Sequence, residues 1–244
     1  MLVNRFMVVI LDKRLPGKAK ENLVKFGLLH SLKVEFIEVE TQGIVHPALS
    51  GHPDIFFCKT PRVLIVSPEI PGEIKEFLAS NNIPFASGNR QTGIQHPGEV
   101  YYTAAVSEQF LVHHLGFTDP VILENCHWLK KIDVRQGYTS CSLMLLKDGH
   151  YMTSDQGIHK TLDQKGLKGI FIPPDEILLP GFQNGQIGGT MGIYKSSVLI
   201  TGSLDHLQEG KVVRNFLQQL NYTVIELFEG QLTDYGGILF PEYE

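Results

Sequence analysis

Cys141, His52, Asp54 and Asp234 are the side chains of this 244-residue chain whose types and settings suit chemistry on a small molecule. Cys141 lies between two hydroxyls in Tyr138-Thr139-Ser140-Cys141-Ser142. A thiol attacks carbon only as the thiolate, so a catalytic Cys141 needs a cation or a histidine beside it. The competing role is that of a small buried hydrophobe, a common fate of free cysteine. His52-Pro53-Asp54 supplies the other partners. His52 is the candidate general base, because imidazole changes charge near neutral pH. Asp54 is a candidate partner for a guanidinium or ammonium group, which a carboxylate can grip at two points. A carboxylate after proline also suits a turn or a cap. Asp234, just before Gly236-Gly237, is a further candidate site carboxylate.

Four weaker candidates sit beside these. Asp155 in Thr153-Ser154-Asp155-Gln156 and Asp205 in Ser203-Leu204-Asp205 either face a ligand or cap the helices that follow; Asp155 joins the substrate-binding candidates. Gly188 and Gly189 belong to the glycine-rich run Gly185 to Gly192, which lacks the Lys-Ser/Thr ending of a phosphate loop and the glycine spacing of a dinucleotide fingerprint. Glycines there let strands crowd together or let a ligand approach the backbone closely.

Other residues carry less chemistry. Cys58 ends the apolar stretch His52 to Cys58 and reads as packing, and Cys126 lies on the apolar face of an amphipathic segment. His96-Pro97 repeats the His52-Pro53 dipeptide, which argues for a partly structural role. His113 and His114 are adjacent, so in a strand they point to opposite faces and cannot chelate one ion together. No clustered metal-ligand spacing occurs, and no metal or cofactor is expected.

Composition narrows the classes. Hydrophobic residues make up 43% and charged residues 19%, enough for a packed core, and the net charge of −5 provides no basic footprint for nucleic acid. Three cysteines without a CxxC pair exclude a thiolate zinc site and a disulfide scaffold. The run Phe6 to Leu11 is too short for a signal peptide or a membrane span. The expected protein is reduced, cytoplasmic and free of the membrane; its oligomeric state is not set by the sequence.

The elements that position the candidates repeat along the chain. Five short apolar runs (Met7–Leu11, Val63–Val66, Phe110–Val112, Tyr151–Thr153 and Val198–Ile200) read as buried strands. Each is followed by a small oxygen-bearing residue and an amphipathic segment: Asp12, Ser67, Asp119, Asp155 and Ser203 stand at the helix starts. A further strand follows each helix, at 34–39, 84–86, 132–135, 169–172 and 223–227. Ahead of four runs lies another short strand pattern, at 54–58, 99–102, 138–142 and 189–193. The first unit lacks that strand, and the missing copy stands at the other end of the chain, at 234–240. The unit is therefore ββαβ, and a C-terminal strand completing the first unit would close a ring and remove two sheet edges. The alternative is an ordinary α/β sandwich or doubly wound sheet.

A ring of five such units resembles the pentein fold of the guanidino-modifying enzymes: arginine and agmatine deiminases, dimethylarginine hydrolases and amidinotransferases. More narrowly, SGHPDIFFCK, QGYTSCSLMLL with YMTSDQGI, ILLPGFQNGQIGGTMGIY with VLITGSLDHL, and LTDYGGILF resemble an uncharacterised bacterial family of that superfamily. The resemblance implies a single domain over 1–244, a five-fold pseudo-symmetric α/β propeller closed by its C-terminal strand, with a small molecule in the central cavity. It also implies a nucleophilic cysteine shortly after a Gly-Gly pair on that last strand, but Gly236 to Pro241 contains none. The expected function is then guanidino- or amidine-type C–N hydrolysis or transfer through Cys141, two units away from the usual place. The alternative is a non-catalytic ligand- or macromolecule-binding member, for which the superfamily's ribosome-binding translation factor is the precedent.

Overall fold

The computed structural model describes residues 6–243. The chain folds into five small sheets. The first unit comprises β1 (Phe6–Asp12), α1 (Gly17–Leu29) and β2 (Lys33–Val39). The second has α2 (Pro53–Phe56), β3 (Phe57–Lys59), β4 (Leu64–Val66), α3 (Gly72–Ser80) and β5 (Phe85–Ser87). The third has β6 (Ala105–Val106), β7 (Phe110–His113), α4 (Pro120–Asn125) and β8 (Lys130–Asp133). The fourth has α5 (Thr139–Ser142), β9 (Leu143–Leu145), β10 (His150–Thr153), α6 (Gln156–Gln164) and β11 (Lys168–Phe171). The fifth has β12 (Met191–Tyr194), β13 (Ser197–Ile200), α7 (Gly210–Gln219) and β14 (Thr223–Glu226).

Each of the last four sheets pairs a short strand antiparallel with the next, which then pairs parallel with the strand after the helix. The ββαβ order expected from the sequence is thus present. The helices cover the sheets through one apolar stripe: Ala19, Leu23 and Phe26 on α1, Ile158 and Leu162 on α6, Val213 and Leu217 on α7.

The five central strands are buried on both faces, and their alternation sorts the core. Val8 and Ile10 of β1 pack with Leu64 and Val66 of β4, while Met7, Val9 and Leu11 pack with Leu199 of β13 and with Ile238 and Phe240. Ile65 meets Leu111, Val112 meets Tyr151, and Met152 meets Val198 and Ile200. Every apolar cluster is therefore shared by two consecutive units, and one of them joins the fifth unit to the first. The C-terminal segment makes that junction: Ile10 N–H donates to Leu239 O at 2.9 Å, Leu239 N–H returns to Ile10 O at 3.0 Å, and Ile238 N–H donates to Met191 O at 3.1 Å.

Several local expectations are corrected. The strands expected at 54–58, 99–102, 138–142 and 189–193 begin later, because a single helical turn precedes each: α2, Gly98–Val100, α5 and Gly188–Thr190. Pro53 presets the first of these turns. In the others a hydroxyl bonds back to a carbonyl three or four residues earlier: Thr103 to Val100, Ser142 to Tyr138, Thr190 to Ile187. Cys141 accordingly sits on α5 and not on a strand. The strand expected at 132–135 starts two residues sooner, as β8. Asp119 and Asp155 cap α4 and α6 as expected, whereas Ser203 caps only the short turn Leu204–His206 and α7 starts after Glu209. Asp12 and Ser67 do not cap α1 and α3, which start after Pro16 and Pro71.

Deleting residues 234–244 removes Ile238 and Phe240 from the core, each contributing about 1.5–3 kcal/mol on burial, and bares the edge of β1. Calorimetry of the truncated chain is expected to show no cooperative transition. A transition of undiminished midpoint would contradict the junction's role.

Candidate functional site

His52, Asp54, Cys141 and Asp234 converge although they come from three distant segments. α2 carries Asp54, with His52 as the residue before its first turn. α5 carries Ser140 and Cys141 and packs against the Gly188–Thr190 turn. Asp234 is held by the backbone N–H groups of Gln186 and Gly236, both at 2.9 Å. A side chain at Gly188 would run into the carbonyls of Ser140 and Cys141, and one at Gly189 into the Asp234 carboxylate. The glycine run is thus explained by close approach of protein to protein.

The central contact is Cys141 Sγ to Asp54 Oδ2 at 2.6 Å, with Ser140 Oγ donating to the same oxygen at 2.8 Å. Asp54 Oδ1 has no hydrogen-bond partner among the described residues, and neither has either ring nitrogen of His52. His52 Nδ1 stands 3.9 Å from Asp234 Oδ1, too far for a hydrogen bond. One ligand atom each from His52, Asp54 and Cys141 fit within 4.8 Å of one another. All four residues are nearly dry: 1% exposed at His52, 4% at Asp54 and Cys141, 2% at Asp234.

Burial decides the charges. It pushes the Asp54 and Asp234 carboxyls up to about 6 against hydrogen bonds that favour the ionised forms. It lowers His52 despite the pull of Asp234, so the imidazole is neutral at pH 7. It raises the Cys141 thiol, and the two carboxylates raise it further. Among the described residues no Lys or Arg pairs with Asp54 or Asp234. Arg14, a cation close enough to act on His52, is spent elsewhere: it grips Asp12 and donates to the carbonyls of Pro47 and Ala48, pinning the segment that leads to His52. The cluster is therefore acidic, desolvated and short of positive charge.

Asp54, Ser140, Gly188 and Gly236 line a cavity of about 570 Å³ whose walls come from the second to fifth units and the C-terminal segment, including Cys58, Leu145, Ile193 and Leu239. Pro61 and Lys195 also line it. His52, Cys141 and Asp234 do not line it.

The remaining candidates fall away from the cluster. Asp155 accepts the Ile158 N–H as the cap of α6 and receives Gln136 Nε2, so its carboxylate is already satisfied and is not a wall of the cavity. Asp205 pairs with Arg214. Cys58 donates weakly to Ala104 O and its thiol is pushed up by burial. Cys126 is core. His113 is locked by Thr118 and Gly137 O, while His114 stacks on Phe117. His96 faces Glu99 near the surface. The Arg14–Asp12 clamp escaped the sequence reading, which took Asp12 for a cap; Arg14 two residues on was the available signal.

The fold is similar to that of several solved structures of low sequence identity. Similar solved structures include an amidinotransferase, SxtG, of saxitoxin biosynthesis from Microseira wollei, with TM-score 0.57, 10% identity and coverage of 99% of this chain and 95% of that one. An agmatine deiminase from C. jejuni gives TM-score 0.55 at 9% identity over 92% and 87% of the two chains. A dimethylarginine dimethylaminohydrolase gives 0.54 at 11% over 98% and 100%. The profile of a Family of unknown function (DUF6873) matches residues 10–239, and the chain belongs to that family. No curated protein matches it in sequence.

Asp54 has a folded pKa near 6 against 3.8 for the free side chain. Its stability contribution is full below pH 3.8 and is lost as pH rises through 6, so the ionised carboxylate destabilises the neutral-pH fold. Asp54→Asn is expected to raise the unfolding midpoint of the ligand-free protein at pH 8 and to leave it nearly unchanged at pH 4. A lowered midpoint at pH 8 would contradict this charge assignment.

Proposed function

We propose that the five units close a propeller around the axial cavity as a single domain. Within it, the chain binds a small amidine, guanidine or related cation at Asp54 and performs C–N hydrolysis or transfer on it through Cys141. The observation that carries this reading is the 2.6 Å contact between Cys141 Sγ and Asp54 Oδ2, with Asp54 in the cavity wall. A planar cation beside Asp54 supplies the positive charge that the thiol lacks and lowers its pKa on binding. The thiol proton passes to the neutral, unpartnered His52. The thiolate adds to the amidinium carbon as the C=N electron pair moves to nitrogen. Collapse then breaks the C–N bond, and His52 returns its proton to the departing amine. Water (hydrolysis) or an acceptor amine (transfer) then adds to the Cys141-bound carbon, giving up its proton to His52. Collapse breaks the C–S bond and frees the Cys141 thiolate, which His52 reprotonates. Three buried, unpaired thiols suit a reducing, cytoplasmic setting.

A second reading, binding without catalysis, is favoured by one observation. Phe240, after the Gly236-Gly237 pair where the superfamily places its nucleophile, is buried against Tyr194.

A haloacetamidine distinguishes the two, since an amidinium group carries the electrophile to Asp54. Intact-mass analysis of metal-free protein at neutral pH is expected to show one adduct, mapped to Cys141, lost in Cys141→Ser and slowed in Asp54→Asn. Labelling no faster than by an uncharged haloacetamide would sink the catalytic reading.

A further inference from the structure

We infer that His52, Asp54 and Cys141 form a binding site for a single divalent metal ion of the zinc class, with Asp234 orienting the histidine. The inference goes beyond the amidine reading and holds whether or not Cys141 reacts with carbon.

Three observations carry it. The donor set of imidazole, carboxylate and thiol, with atoms within 4.8 Å of one another, is the mixed N, O, S set that zinc accepts. Both His52 nitrogens and Asp54 Oδ1 lack partners among the described residues at sites essentially closed to solvent. Buried polar atoms of that kind cost about 1–3 kcal/mol each when left alone, so the arrangement is costly without an occupant. Finally, one ring nitrogen of His52 can ligate while Nδ1, 3.9 Å from Asp234 Oδ1, faces the carboxylate that commonly orients a metal-bound imidazole.

Charge and size agree. A dication bound by one thiolate and one carboxylate is neutral overall, which suits a dry site, and the thiol proton leaves to solvent on binding. With Zn–S about 2.3 Å and Zn–O about 2.0 Å, tetrahedral ligand atoms stand about 3.5 Å apart. The 2.6 Å Sγ–Oδ2 pair must therefore open by about 1 Å, or Oδ1 ligates while Oδ2 keeps Ser140. Three protein ligands leave a fourth position, as in zinc sites that exchange a water; Asp54 is the ligand that lines the cavity.

Cobalt(II) and zinc(II) added to chelator-treated full-length protein test this. One cobalt per chain is expected, with visible bands of tetrahedral type and a thiolate-to-cobalt charge-transfer band. Stoichiometric zinc should bleach both. Cys141→Ser should lose the charge-transfer band and weaken zinc binding by ~10-fold or more, while Cys58→Ser should change neither. His52→Gln, checked for its thermal transition, should weaken binding similarly; if it fails to fold, the wild-type spectrum and the two cysteine variants still decide. Zinc should also block labelling of Cys141 by a haloacetamidine. Absence of the charge-transfer band in the wild-type protein, or a band unaffected by Cys141→Ser, would overturn the inference. Failure of labelling with the cobalt spectrum intact would defeat only the amidine reading.

Discussion

Two-sided burial of the five central strands is the constraint on which the rest depends. Strand side chains alternate faces, so β1 sends Val8 and Ile10 to one neighbour and Met7, Val9 and Leu11 to the other. A strand apolar on both faces cannot end a stack without exposing one of them. The chain meets this by bringing Ile238, Leu239 and Phe240 back to β1. The same return places Asp234 against the Gly188–Thr190 turn and near His52. The polar cluster is thus a by-product of how the apolar core is completed.

That cluster runs against the economy of the core. Two carboxyls, a thiol and an imidazole are packed out of water with several acceptors unanswered. Burial resists their ionisation, and the nearby Arg14 is diverted to Asp12. Folds keep such costs where a ligand repays them, and a perturbed carboxyl in a cavity wall, such as Asp54, is a functional-site candidate. The deficit has a sign: what the four-residue cluster lacks is positive charge, although Lys59, Lys147 and Lys195 line the cavity itself. An amidinium against Asp54 in the cavity wall and a metal ion between His52, Asp54 and Cys141 are two answers to one electrostatic demand.

Much of this was legible in the sequence, for physical reasons that particular residues show. The central strands were found because runs such as Val198-Leu199-Ile200 are continuous and apolar. The C-terminal segment was placed beside the first unit because that unit lacked a partner, but the strand expected at 234–240 is not formed: the segment makes one isolated antiparallel bridge, Leu239 to Ile10. The strands next to the cavity were misplaced because His52 to Phe56 and Tyr138 to Ser142 are short, and a four-residue helical turn has no periodicity to separate it from a strand. His52, Asp54, Cys141 and Asp234 stood out by residue type and by proline or glycine neighbours. Their mutual contact did not: Cys141 and Asp54 are 87 positions apart and meet only through packing of the units. Asp155 illustrates the reverse error, a carboxylate in a plausible motif whose lone pairs are taken by its own helix.

The claim that this cluster is a cation site is tested most directly by crystallography of the protein grown with a zinc salt, with anomalous difference maps at the zinc edge. The account predicts one strong internal peak bounded by a ring nitrogen of His52, a carboxylate oxygen of Asp54 and Sγ of Cys141, with Asp234 turned to the other ring nitrogen. Zinc confined to surface side chains, with Cys141 still bonded to Asp54 and the His52 nitrogens answered by ordered water, would contradict it.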